Sequence, residues 1–185
     1  MEDNSENEVS FGKFLLKDIA KLDNGNKFDK NKMTYENPSV YFVSRTASNN
    51  GVSDFVDNNG TTPYKAGCIT LAFGGSIGSC FVQYNPFYTG QNVGVIDFGE
   101  NVSFEAKQYI ALCLGKYCKT VFTAFADEIN KHFKKDLTIS LPIKSDGTPD
   151  FDYMEQYIRA MEKVVIADVV KYKERIIKET KKVIE

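Results

Sequence analysis

Three short polar segments of this sequence are rich in side chains that hydrogen-bond to nucleobases. They are SRTASNNG at 44–51, GGSIGS at 74–79 and YNPFYTGQN at 84–92. Arginine pairs with guanine, asparagine and glutamine pair with adenine, and glycine lets a backbone approach a duplex closely. The same residue types are common in ordinary turns. Their composition therefore favours base recognition without establishing it.

An enzymatic alternative rests on YNPFY at 84–88, which is similar to the N-P-P-Y motif with which adenine-N6 DNA methyltransferases hold a flipped base. FGGSIG at 73–78 is loosely similar to the cofactor loop of those enzymes. The spacing disagrees, because the cofactor motif needs glycine where this chain has Ile77, and only a few residues separate the two segments. A small stand-alone adenine methyltransferase is therefore the weaker interpretation.

The other residues capable of catalysis or metal binding show no arrangement that such chemistry requires. There is no G-x-S-x-G element, phosphate-binding loop or nuclease carboxylate set. The cysteines form no C-x-x-C pair, and the single histidine, His132, lies far from them in sequence. We therefore expect a non-catalytic protein with no metal, no cofactor of its own and reduced, buried cysteines. The four cysteines are Cys68, Cys80, Cys113 and Cys118.

The formal charge of -2 is unevenly distributed. Residues 1–10 contain four acidic residues and no base, which leaves +2 for residues 11–185. Lysines cluster between residues 13 and 32 and in KHFKK at 131–135, where they could meet phosphates or simply face solvent. The acidic start and the absence of a long apolar run predict a cytoplasmic protein with a disordered tail at 1–10 and no membrane span.

Residues 11–149 are predicted to form one α/β (α+β) domain that is rich in strands. Short β-type segments recur at 40–44, 68–73, 79–84 and 92–97, and the glycine-rich stretch between the second and third predicts a hairpin over 68–84. Ser103 has the position of an N-cap for a following helix, and a second apolar run covers 121–129. A closing strand is expected at 137–143.

Residues 150–185 contain no glycine or proline, and they predict a helix about 50 Å long. Asp152 and Glu155 are candidates for a capping box at its start. Apolar residues follow an eleven-residue repeat, which keeps them on one side of a nearly straight helix. This first stripe comprises Met154, Ile158, Met161, Val165, Val169, Tyr172, Ile176 and Val183.

The distal half of the helix has a second apolar stripe, roughly a third of a turn away. It comprises Ile166, Val170, Ile177 and Ile184. We expect residues 151–161 to pack on the domain, and residues 165–184 to pair with a helix of another chain. The helix is accordingly predicted to serve as a spacer and a dimerisation element.

The order of these segments resembles a target-recognition domain of the specificity subunits of type I restriction-modification systems, or of the related type IIB enzymes. The resemblance covers the chain from about Phe14 to its C-terminus. It is carried by FLLKDIAKLDNGNKF, YFVSRTASNNGVSDFV, AGCITLAFGGSIGSCFVQYNPFYTGQNVGVID and DLTISLPIKSDGTPDFDYMEQYIRAMEKVV, in this order. The last of these places a strand ending in Leu-Pro before the long helix.

The resemblance implies a bipartite double-stranded DNA target and a complex with modification subunits that bind S-adenosylmethionine and methylate adenine. A restriction subunit is a further possible partner. A full specificity subunit has two recognition domains and two antiparallel helices, whereas this chain has one of each. Two readings follow: a half-subunit that forms a homodimer through its helix, which the start at Met1 favours slightly, or a fragment of a longer chain.

Carried over to this sequence, the resemblance also assigns DNA-facing positions, which lie in four segments. They are Arg45, Thr46, Ser48, Asn49 and Asn50 in the first, Gly74, Gly75 and Ser76 in the second, Tyr84, Tyr88 and Gln91 in the third, and Lys131, His132 and Lys134 in the fourth.

Overall fold

Short strands dominate the chain up to Pro142 in the computed structural model, which describes residues 9–122 and 128–184. Its strands are β1 (Phe11–Leu15), β2 (Lys21–Asp23), β3 (Pro38–Val43), β4 (Val52–Asp57), β5 (Ile69–Ala72), β6 (Cys80–Val82), β7 (Phe87–Thr89), β8 (Val93–Asp97) and β9 (Thr138–Pro142). Its helices are α1 (Leu16–Ile19), α2 (Phe104–Val121), α3 (Ile129–His132) and α4 (Phe151–Ile184). The mixed α+β fold with a long C-terminal helix agrees with the prediction.

The largest sheet is antiparallel and has the strand order β2-β8-β5-β6. Its hairpin joins β5 to β6 and pairs Ile69 with Val82, which confirms the hairpin predicted over 68–84. β5 also pairs with β8, so that Ile69 lies opposite Ile96, and both side chains are fully buried. Hydrophobic residues at these positions hold the sheet against the helical layer.

Two smaller sheets come from pairings between segments that are distant in sequence. In the order β4-β3-β7, β3 runs antiparallel to β4 and parallel to β7, with Tyr41 opposite Phe87. β1 pairs with β9, which places Phe14 opposite Ile139. These pairings tie the start and the end of the domain together and align the carboxyl ends of β3 and β7 at one edge.

Helix α2 covers the core between the sheets and α4. Ser103 caps it, since its hydroxyl accepts a hydrogen bond from the amide of Ala106 at 3.2 Å, as predicted. Ile110 and Leu114 are fully buried on its inner face. Burial of side chains of this size stabilises a fold by about 1.5 to 3 kcal/mol each.

Helix α4 begins at Phe151 with a cap different from the predicted one. The carboxylate of Asp150 accepts a hydrogen bond from the amide of Tyr153 at 3.0 Å. The proposed capping box of Asp152 and Glu155 is therefore wrong. Asp152 instead pairs with Lys144 at 2.8 Å, and Glu155 pairs with Arg159 at 2.7 Å.

The apolar stripes of α4 are buried at the start of the helix and exposed along the rest of it. Met154 and Ile158 are buried against the domain, and Tyr157 makes an edge contact with Tyr109 of α2. From Met161 to Ile177 every large apolar side chain of the helix is at least 41% exposed. The exposed residues of the two predicted stripes are Met161, Val165, Ile166, Val169, Val170, Tyr172, Ile176 and Ile177.

Some predictions fall outside the described residues. They concern residues 1–8 of the acidic tail, residues 123–127 of the second apolar run, and the side chains of Val183 and Ile184. In the described ranges, no helix has the length and apolar character needed to cross a membrane. The same ranges hold no cluster of three or more His, Cys, Asp or Glu side chains placed to bind a metal ion.

Candidate nucleic-acid interface

Loops that follow β3, β5 and β7 meet at one edge of the domain and are joined by backbone hydrogen bonds. The amide of Ser76 donates to the carbonyl of Arg45 at 3.1 Å, and the amide of Phe73 donates to the carbonyl of Asn92 at 2.8 Å. The amide of Gly90 donates to the carbonyl of Val43 at 2.9 Å. We call the surface formed by residues 24–28, 44–51, 73–79, 90–92 and 130–134 the loop face.

The 44–51 loop presents Arg45 and Ser48 as exposed side chains. The hydroxyl of Thr46 accepts a hydrogen bond from the amide of Ser48 at 3.1 Å, which tightens the turn. Asn49 and Asn50 have left-handed φ angles of 47° and 56°, a conformation that asparagine tolerates better than most residues.

The side-chain amides of Asn49 and Asn50, which are predicted from the sequence to face DNA, also make hydrogen bonds within the protein. Asn49 donates through Nδ2 to the carbonyl of Val52 at 3.1 Å, and Asn50 donates through Nδ2 to the carbonyl of Val82 at 2.8 Å. Gln83 Nε2 donates in return to the carbonyl of Asn50 at 3.0 Å. Asn50 thereby ties the loop to β6, and the bond of Asn49 holds the loop to the start of β4.

The glycine loop after β5 approaches Arg45 so closely that only glycine fits. Gly75 has a φ angle of 66°, and a Cβ atom there would lie 2.8 Å from the carbonyl oxygen of Arg45. A Cβ atom on Gly74 would lie 3.8 Å from Nη1 of Arg45. The two loops therefore form one surface, with the Arg45 guanidinium beside Gly74 and the backbone of Ser76 bonded to the Arg45 carbonyl.

Helix α3 brings the lysines of the 131–135 segment to the same face. It is anchored by buried Ile129 and by Phe133, whose ring lies 4.9 Å from the ring of Phe73. Lys131 and Lys134 are exposed. His132 is held within the protein, because its Nδ1 lies 2.8 Å from Oδ1 of Asp136 and its ring packs against Phe122.

Two predicted tyrosines are not part of the loop face. Tyr88 is fully buried, with its hydroxyl 2.6 Å from the carbonyl oxygen of Thr61 and 3.0 Å from Oδ1 of Asn58. Tyr84 follows β6 at the end opposite to the glycine loop, where its ring stacks on Phe104 at 5.6 Å. The prediction of DNA contact by Tyr88 is therefore corrected, since its side chain is a core element.

The same packing removes the structural basis for the methyltransferase alternative. The hydroxyl of Tyr84 accepts a hydrogen bond from Nε2 of Gln108 at 2.6 Å, and its ring face is covered by Phe104. Tyr88 offers no free ring on which a flipped base could stack, because its side chain is fully buried. The FGGSIG segment is the loop of a β-hairpin rather than the turn between a strand and a helix.

Gln91 is exposed in the turn between β7 and β8, as expected for a contact residue. Beside it lie polar side chains that the sequence-based reasoning did not select. Asn24, Lys27, Asn92 and Asn130 line a cleft of about 190 Å³ together with Phe73. The Asn24-Gly25 pair indicates a turn rather than a site, whereas Lys27 and Asn92 lie in the lysine cluster of 13–32 and in the polar segment at 84–92.

Known proteins are similar to this chain over most of its length. Residues 8–172 match the family model described as type I restriction modification DNA specificity domain. The specificity subunit S.BcgI of a type II restriction enzyme from Heyndrickxia coagulans is 25% identical over 167 residues, which cover 86% of this chain and 46% of that protein.

Solved structures show the same fold. The S subunit of a type I restriction-modification system from M. genitalium is 15% identical, with a TM-score of 0.58, and the match covers 77% of this chain and 37% of that one. The HsdS subunit from Thermoanaerobacter tengcongensis is 12% identical, with a TM-score of 0.60, and the match covers 90% and 41%. The chain thus spans less than half the length of each of these relatives.

Proposed function

Because the chain belongs to the type I restriction modification DNA specificity domain family, we propose that it recognises a DNA sequence on behalf of a restriction-modification methyltransferase and catalyses no reaction itself. The observation that carries this proposal is the convergence of loops on the loop face. Arg45 and Gln91 offer hydrogen-bonding groups for base edges. Beside Arg45, the small residues Gly74, Gly75 and Ser76 leave the backbone accessible to a duplex.

The charges on this surface suit the backbone of a duplex. Arg45, Lys27, Lys131 and Lys134 are all exposed at the loop face. Lysines that contact phosphates release bound counterions and contribute affinity without sequence preference. We assign Lys131 and Lys134 to phosphates and assign base recognition to Arg45, Ser48, Ser76 and Gln91.

The proposal places catalysis on partner subunits. Modification subunits would bind S-adenosylmethionine and methylate adenine within a bipartite target, while this chain binds neither metal nor cofactor. The complex would work in the cytoplasm, where it meets the DNA. A restriction subunit would join the same complex where cleavage accompanies modification.

Helix α4 is proposed to hold two copies of the chain together. Val165 and Val169 are 57% and 60% exposed, and the adjacent Tyr172 is 59% exposed, so a lone chain leaves a continuous apolar strip in water. Proteins seldom leave such strips uncovered. An antiparallel pair of these helices would set the two loop faces roughly 50 Å apart, which is about 15 base pairs.

Sequencing of adenine methylation in the host, with and without the gene, tests the proposed function. We expect one bipartite methylated motif to disappear when the gene is deleted and to return when it is restored. In parallel, the purified chain is incubated with duplex DNA and labelled S-adenosylmethionine, where no methyl transfer is expected. An unchanged methylation pattern, or transfer by the chain alone, would refute the proposal.

A further inference from the structure

A small cleft on the loop face lies between the 24–28 loop, the turn after β7 and α3. It is lined by three asparagines, Asn24, Asn92 and Asn130, together with Lys27 and Phe73. We call it the asparagine cleft. None of these residues is among the positions that the resemblance assigns to DNA, although Lys27 and Asn92 lie in segments that the sequence already indicated. No contact described so far explains why three asparagines meet there.

The 24–28 side of the cleft is held rigidly. The side-chain Oδ1 of Asn26 accepts a hydrogen bond from the backbone amide of Thr89 at 3.0 Å. The backbone amide of Asn26 donates in return to Oγ1 of Thr89 at 2.8 Å. Gly25 has a φ angle of 74°, and a Cβ atom there would lie 2.5 Å from the carbonyl oxygen of Val93. The backbone of the loop is therefore fixed against β7 and β8. This fixes the backbone positions of Asn24 and Lys27 in the absence of a ligand.

The other two sides are equally well anchored. The carbonyl of Asn92 accepts a hydrogen bond from the amide of Phe73, which ties the turn after β7 to the glycine loop. Asn130 follows buried Ile129 on α3, which also packs through Phe133. Anchoring of this kind lowers the entropic cost of binding, because the backbone of the loops is already ordered and only the side chains must be fixed on contact.

The cleft amides are not used by the protein itself. Across residues 9–122 and 128–184, no hydrogen bond engages the side-chain amide of Asn24, Asn92 or Asn130, in contrast to Asn26, Asn49 and Asn50. Each free amide offers one donor and one acceptor in a single plane. Adenine presents the matching pair in the major groove, an acceptor at N7 and a donor at N6.

Phe73 adds a second, independent preference. Phe73 is buried, with 7% of its surface exposed, and it lines the cleft beside the asparagines. The thymine of an A·T pair presents a methyl group in the major groove, next to the adenine edge, and apolar side chains favour contact with it. We propose that the asparagine cleft receives the major-groove edge of one A·T base pair, with the side-chain amide of Asn92 or Asn130 on adenine and Phe73 towards the thymine methyl.

This inference rests on the proposed function, since it names one base pair that the loop face reads. The test uses the full chain to select duplexes from a randomised library, in parallel with the double variant Asn92→Gly, Asn130→Ala. Glycine is chosen at position 92 because the φ angle there is 57°. We expect the wild type to require an A·T pair at one position at which the double variant accepts any pair, while other positions keep their preference.

Modified bases at that position identify the groups involved. Replacing adenine by 7-deazaadenine removes the N7 acceptor and should weaken wild-type binding about 10- to 100-fold. Replacing thymine by deoxyuridine removes the methyl group and should weaken it about 3-fold. The double variant should be insensitive to both changes. The exposed amide Asn85 lies outside the cleft, so Asn85→Ala should select the same motif as the wild type.

The outcomes separate the two proposals. If the wild type selects a motif and the double variant selects the same one, the inference about the cleft is wrong and the proposed function stands. The inference is also wrong if the double variant loses its base preference at a position where the wild type requires a pair other than A·T. If the wild type selects no motif at all, both proposals fall. An unchanged thermal midpoint for the double variant ensures that any loss is not a loss of folding.

Discussion

The backbone amide of Ser76 donates a hydrogen bond to the carbonyl of Arg45, and this contact joins two loops that belong to different sheets. The same carbonyl blocks any side chain at Gly75, where a Cβ atom would lie 2.8 Å from its oxygen. The position of the Arg45 guanidinium therefore depends on a neighbouring loop that is distant in sequence. Specificity in this fold is a property of loop pairs rather than of single loops.

Replacing Gly75 by alanine should separate these two loops and abolish sequence-specific DNA binding. Two effects act together, a left-handed backbone angle that costs an alanine about 1 to 2 kcal/mol and the contact with the Arg45 carbonyl. Gly60 is the matched control, since its φ angle is 86° and nothing lies within 4 Å of its Cβ position. Gly60→Ala should lower the thermal midpoint and keep DNA binding. Equal binding by both variants in titrations would show that loop contact does not matter.

Arg45→Ala should reduce discrimination between the cognate duplex and a random duplex by about 1 to 3 kcal/mol, because arginine at a base edge carries sequence preference. Fluorescence anisotropy with both duplexes measures this difference. The fold should be unaffected, since the side chain is exposed. Equal losses on the two duplexes would instead assign Arg45 to a phosphate.

Lys134→Ala should weaken binding to cognate and random duplexes alike and should reduce the slope of log affinity against log salt by about one unit. Lys144→Ala provides the control, because Lys144 pairs with Asp152 at the start of α4, away from the loop face. The affinity of each variant is measured from about 50 to 300 mM salt, a range around the physiological value. Only Lys134→Ala should show the reduced slope. A change of sequence preference in Lys134→Ala would contradict its assignment to a phosphate.

The cysteines should react slowly with thiol reagents as long as the protein is folded. Burial raises the pKa of Cys68 to about 11 and that of Cys118 to about 12. At pH 8 their thiolate fraction is then at least about 100-fold below that of a free cysteine, and the thiolate is the reactive form. We expect rapid modification of all four only after denaturation. Fast labelling of Cys68 in the native protein, detected by mass spectrometry, would contradict its burial.

Local sequence patterns predicted those elements whose signal lies within one segment. The hairpin around the glycine loop, the cap at Ser103 and the long helix α4 each depend on neighbouring residues, and each is present. The cap of α4 was misassigned by two residues, since Asp150 and Asp152 are both plausible acceptors. Only the geometry of the preceding turn decides between two such carboxylates.

Long-range pairing explains what the sequence did not reveal. Tyr88 looks like a loop residue, but the parallel pairing of β7 with β3 places it opposite Phe42 and inside the core. The asparagine cleft combines segments near residues 24, 92 and 130, which no periodicity connects. Residue type indicated hydrogen-bonding capacity, whereas the fold decided which amides are free and which are used internally.

The exposed stripe of α4 leads to the prediction with the largest expected effect. Val169 and Ile176 are 60% and 41% exposed, and they lie on one side of the helix beyond its contact with the domain. Replacing both by aspartate should give a folded monomer, because an antiparallel seam would bury unpaired charges at a cost that the interface cannot recover. High-affinity binding to a paired site should be lost, and weak binding to a half-site should remain.

A matched variant replaces Lys171 and Lys178 by aspartate, since these exposed residues lie on the opposite side of the same helix. It introduces the same two aspartates and should remain a dimer. Light scattering at tens of micromolar measures the mass of all three proteins, and circular dichroism checks that they are folded. A wild type that is monomeric under these conditions would exclude self-association, and a partner subunit would then be needed to cover the stripe.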